Sequence, residues 1–221
     1  MTAKALTKNN LQPTREQASQ EVGATIRRTV VGPFAPLLAS LSGLEKEFPA
    51  DDLRTAQLGH VIEMLESVRH GVEALVDLVA PDDQDPLPCT FEELARAALR
   101  ALPQKQRGKI QLALENASVQ CQIDGPRLSR SLSYVLLANV QEGREAIFHV
   151  KTGGNSGCFT LHIPPTTSRP EQTAPVCMHL QLVAEREIVR LGGSLECLNW
   201  EDGTVQLTVV LPLTVQTREP A

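Results

Sequence analysis

Apolar side chains recur at helical spacing along the first part of the chain: Val22, Ile26, Val30, Leu37, Leu41 and Leu44. That spacing predicts helix over about 15–48. Pro33 and Pro36 interrupt it. Each proline removes an N–H and its ring strikes the preceding turn, so a kink or break is expected there. FPADD (48–52) reads as a turn, with Asp51 or Asp52 as a helix cap. A second helix is predicted over 52–79, with a heptad-like seam running from Leu58 through Val61, Ile62, Leu65, Val68 and Val72 to Val79. Two long helices joined by a short turn make an antiparallel hairpin. One hairpin cannot cover both faces of its own seam, so pairing with a second copy into a four-helix bundle is expected.

The pattern changes after residue 80. APDDQDPLPC (80–89) reads as a linker. Thr90 and Glu93 have capping-box spacing and predict a helix that stops at Pro103. KIQLALE (109–115) and SVQCQI (118–123) alternate like strands, with Asn116-Ala117 at the turn. Asp124 is placed to cap a further helix. A hairpin is expected around Gly153-Gly154-Asn155, then a proline-rich loop (164–175), a helix over about 176–191 and a closing hairpin. The second half is therefore expected to be a mixed sheet with helices on one face.

Composition narrows the classes. Aromatic residues are 3% of the chain, so a base-stacking surface is not expected, and the net charge of −5 argues against a nucleic-acid or anionic-membrane binder. The five cysteines are odd in number and lack C-x-x-C spacing. That favours free thiols in a reducing cytosol. No secretory leader and no apolar run of membrane-spanning length is visible, so a cytoplasmic protein without membrane association is expected. No G-x-S-x-G, P-loop or H-E-x-x-H run occurs. His149, His162 and His179, the last near Cys177, have no fixed ligand spacing, so no metal is expected.

REIVRLGGSLECLNWEDGTVQLTVVLPL (186–213), preceded by an Asp-capped helix and a helical hairpin, resembles the core of a sensor histidine kinase. The resemblance implies an α+β fold: an N-terminal antiparallel helical hairpin, forming a four-helix bundle in a dimer, followed by a histidine-kinase-like α/β sandwich of the Bergerat ATP-binding type. The divisions it implies are a tail at 1–14, the hairpin at 15–80, a linker at 81–89, the sandwich at 90–214 and a tail at 215–221.

The family's chemical motifs do not align with matching residues. Its phosphoacceptor His lies five residues before a Pro-Leu. Here Pro36-Leu37 fits, but Val31 stands at the His place, and an isopropyl group cannot accept a phosphoryl group. His60 and His70, on the second helix, are the remaining phosphoacceptor candidates, both read as surface positions flanking the seam. In the family's N-L-L-x-N-A box the second Asn holds Mg²⁺. Here Tyr134 and Ala138 take the two Asn places. Asn139 comes one residue late, about 100° round the helix, and is the candidate cofactor-binding residue, with a plain helix-end asparagine as the competing reading. The strand before Pro164-Pro165 is not followed by the family's adenine-reading D-x-G-x-G, and HLQL (179–182) replaces its phosphate-facing G-L-G-L. The expected protein is thus a degenerate, dimeric histidine-kinase-like adaptor without a cofactor. It would bind a response-regulator receiver domain or a partner kinase. A histidine phosphotransferase, a divergent active kinase and an unrelated interaction module stay open.

Overall fold

A computed structural model of the chain describes residues 15–80, 85–140, 145–165 and 175–213. Helix α1 (Arg15–Ile26) runs into a π-helical turn at Arg27–Val31, and α2 (Phe34–Glu45) follows. The wide turn lies just ahead of Pro33. Gly32 N–H reaches back five residues to the Arg27 carbonyl at 2.8 Å. Pro33 could not have continued an ordinary ladder, so the widening is the form the expected break takes. Pro36 sits in the first turn of α2, where its missing N–H costs little. Helix α3 (Leu53–Val79) begins at Asp52, whose carboxylate accepts from Arg54 N–H at 2.8 Å.

Strand β1 (Leu87–Thr90) occupies the end of the expected linker, a correction to that reading, while residues 81–84 lie outside the described residues. Its two-stranded pairing with β3 (Gln120–Ile123) leaves an open edge, and an edge tolerates Pro88. The capping box forms as expected at the start of α4 (Phe91–Arg100): Thr90 Oγ1 accepts from Glu93 N–H while Glu93 accepts from Thr90 N–H. A single turn, α5 (Gln104–Arg107), leads to β2 (Ile110–Glu115).

β2 and β3 turn at Asn116, which has φ 54°, but they join different sheets. The main sheet has order β2-β4-β5-β7-β6, built with β4 (Ala146–Gly153), β5 (Ser156–Ile163), β6 (Ser194–Asn199) and β7 (Val205–Pro212). β2 pairs parallel to β4, and the other neighbours are antiparallel. Strict alternation along β4 and β5 sends Phe148, Val150, Phe159 and Leu161 to one buried face. Helix α4, α6 (Gly125–Asn139) and α7 (Pro175–Arg190) cover that face, as the sequence predicts. Gly157 lies beneath Phe91: a methyl there would stand 1.9 Å from the ring, and Phe91 stacks on Phe159 at 5.2 Å.

Helix α3 has two sides. His70, Ala74 and Asp77 are buried, whereas Val61, Met64, Val68 and Leu75, on the opposite side, are 42–56% exposed. Among the described residues no helix is long and apolar enough to cross a membrane.

Candidate functional site

Helix α6 carries the first cluster. Asp124 caps it by accepting from Arg127 N–H at 3.1 Å. One and two turns on, Arg130 and Tyr134 meet Asp77 of α3. The Tyr134 hydroxyl donates to Asp77 Oδ2 at 2.9 Å, and Arg130 Nη1 donates to Oδ1 at 2.7 Å. Arg27 Nη2, from the π-helical turn, donates to the same Oδ1 at 2.8 Å and to the Ala80 carbonyl at 3.1 Å. Burial and the facing carboxylate push the Tyr134 phenol far up, so it stays a donor. Three donors, one from the π-helical turn and two from α6, satisfy one buried carboxylate, the condition under which a buried charge is tolerated. Tyr134 stands where the resemblance puts an Asn, and Ala138, at the metal-holding place, is 5% exposed. Asn139 is half-buried, and its amide nitrogen donates back to the Val135 carbonyl at 2.8 Å.

Helix α7 carries the second. It begins at Pro175, so HLQL lies a full turn inside it. Only the first four N–H groups of a helix lack internal partners, and the N–H groups of residues 179–182 come after those. A helix N-terminus holds phosphate with its unpartnered N–H groups, and these four are engaged within the helix. His179 is exposed and Gln181 half-buried. Residues 166–174, where the proline-rich loop was expected, lie outside the described residues.

Between α3 and the sandwich lies a cleft of about 320 Å³. Leu137 of α6 and Leu180 of α7, one from each aligned box, form part of its wall, and Glu45, Glu63 and Glu66 line the hairpin side. The only cation among its lining residues is Lys105, which is paired with Glu63. Burial raises the Glu66 carboxyl above its usual range. His70 lines the cleft but is 5% exposed, which corrects its reading as a surface position. Burial, then the neighbouring Arg69 guanidinium, lowers its pKa to about 4. Arg69 Nη2 lies 2.8 Å from His70 Nε2, and because a guanidinium can only donate, Nε2 is the acceptor. His60, by contrast, is exposed. Val31 is half-buried in the π-helical turn.

The structure does not bring the sequence candidates together: His60 and His70 are ten residues apart on α3, and Asn139 ends α6. Among the described residues no group of three His, Cys, Asp or Glu is placed to hold a metal ion. His149 and His162 sit on the outer face of adjacent strands, out of register with each other. Sequence reasoning missed Asp77, and with it the pairing of Arg27, Arg130 and Tyr134 to one carboxylate. The available signal was a lone acid in the apolar run ALVDLVA (74–80).

No protein-family model and no curated protein matches the chain. Solved structures do. Full-length ShkA, crystallised with AMPPNP, superposes with a TM-score of 0.53 at 16% identity, covering 89% of this chain and 46% of that one. The histidine kinase ThkA, crystallised with the response regulator TrrA, superposes with a TM-score of 0.52 at 12% identity, covering 92% of this chain and 66% of that one. Both alignments span hairpin and sandwich together, so the chain has the fold of a histidine-kinase core.

Proposed function

We propose that this chain is a two-component signalling protein that works by docking a response-regulator receiver domain, without hydrolysing ATP. The observation that carries the reading is the state of the two box helices. The α6 face that would meet the nucleotide is closed by the Tyr134–Asp77 bond, and the α7 N–H groups that would meet phosphate are engaged within the helix. The cleft beside them adds three carboxylates against one lysine already paired with Glu63, an environment that repels polyphosphate. ThkA was crystallised with a response regulator, and that pairing motivates the partner proposed here.

Calorimetric titration tests both halves. Mg²⁺-ATP is expected to give no heat of binding up to millimolar concentration, whereas a cognate receiver domain binds. Micromolar ATP affinity would refute the first half, and a panel of receivers from the same genome with no binder would refute the second.

Phosphotransfer through His60 is the second reading. Its support is exposure: a receiver aspartyl phosphate can approach His60, whereas His70 is buried against Arg69. Incubation with a phosphorylated receiver would label the wild-type chain and leave His60→Gln unlabelled.

A further inference from the structure

The short β1–β3 ladder sets Cys89 directly opposite Cys121, and their sulfurs lie 3.9 Å apart. Both thiols are free, Cys121 is buried, Cys89 is half-buried, and the Cys121 thiol also lies 3.4 Å from the Cys89 carbonyl. We infer that Cys89 and Cys121 form an oxidative modification site, converted to a disulfide by a peroxide-class oxidant and thereby stapling β1 to β3, the strand that leads into α6.

Directly opposed residues of an antiparallel pair have Cα separations within the range a disulfide spans. A rotation of the two side chains closes the remaining gap between the sulfurs, without movement of the strands. A ladder of four residue pairs is weak by itself, so a covalent link across it changes how firmly β1 is held. The place matters. Thr90 and Asp124, next to or near the two cysteines, are the N-caps of α4 and α6. A methyl on Gly125 would stand 3.5 Å from the Cys89 sulfur, so that sulfur already rests on the first turn of α6. Two turns further along, α6 holds the hairpin through Arg130 and Tyr134. The bond would close a loop over the whole of α4 and β2.

The chemistry balances with hydrogen peroxide as oxidant. The more accessible Cys89 sulfur, as thiolate, attacks one peroxide oxygen; the O–O bond breaks and hydroxide leaves, taking up a proton to become water. The resulting sulfenic acid is attacked by the Cys121 sulfur; the S–O bond breaks and a second water leaves. Two thiols and one peroxide give one disulfide and two waters. Burial raises both thiols, Cys121 to about 12, so the reaction is slow at neutral pH and quickens as the pH rises.

The test treats the full chain with hydrogen peroxide, then compares intact mass, thiol count and non-reduced peptide maps with the untreated chain. The expected result is loss of 2 Da and of two of the five thiols, one peptide joining Cys89 to Cys121, and a thermal midpoint raised by about 5 °C or more. Cys197→Ser, which removes an exposed thiol, keeps that peptide, and Cys89→Ser loses it. Oxidation that spares Cys89 and Cys121 while consuming Cys197, a disulfide between two chains, or an intramolecular bond with an unchanged midpoint would overturn the inference.

Discussion

Asp77 is the residue on which hairpin and sandwich depend together. Its replacement by alanine leaves the Tyr134 hydroxyl buried without an acceptor and two guanidinium groups without their counter-charge. Removing one partner of a buried, hydrogen-bonded charge costs about 3 kcal/mol, whereas losing one neutral donor costs about 1 kcal/mol. Denaturant titration is therefore expected to rank Asp77→Ala well below Tyr134→Phe, with both below wild type. Equal losses would mean that the arginines contribute nothing.

His70 gives the residue scale a pH signature. In the folded chain it takes its proton only near pH 4, against about 6.5 when unfolded. Between those values the unfolded chain binds the extra proton. This contribution is complete above pH 6.5 and is lost as the pH falls toward 4, by roughly 3 kcal/mol in all. Stability measured from pH 7.5 to 4.5 is expected to fall less steeply in His70→Gln than in wild type. Parallel curves would show that His70 titrates alike in both states. None of this was legible in the sequence, because a histidine beside a seam reads the same whether water or the sandwich covers it.

Elements were more legible than their partners. The capping box at Thr90, the cap at Asp124 and the turn between β4 and β5 are local devices, and each stands where its residues put it. Pairing is not local. Nothing within residues 109–123 says that β2 joins β4 while β3 turns away to β1, and three prolines disguise β1 as linker. One packing contact does connect the levels. Gly157 leaves room for Phe91, the first residue of α4, to stack on Phe159. Gly157→Ala sets a methyl inside the Phe91 ring, so α4 or the sheet must move. Overpacking of this kind costs about 1–3 kcal/mol, and the loss should appear as a lower denaturation midpoint with an unchanged slope. In Phe91→Leu, where the ring is gone, the same alanine should cost less; an equal penalty in both backgrounds would detach it from that contact.

On the scale of the whole molecule, the two sides of α3 face different solvents. The His70–Ala74–Asp77 side is taken up by the sandwich, so it cannot also serve a second copy. What remains outward on α3 is a narrow stripe, Val61, Met64, Val68 and Leu75, and Val30, Leu37 and Leu44 of the preceding segments are exposed as well. An exposed apolar stripe of this kind fits an interface, and its heptad spacing suits another helical hairpin laid alongside it. A second copy on that stripe would not compete with the sandwich, and such a dimer would leave the Asp77 cluster intact. Val68→Glu puts a charge in the middle of the stripe without touching the buried side. Light scattering is expected to give twice the chain mass for wild type and the single mass for Val68→Glu, with the variant still folded by circular dichroism. A wild-type chain that stays monomeric at high micromolar concentration, or a Val68→Glu dimer of undiminished strength, would overturn the expected four-helix bundle.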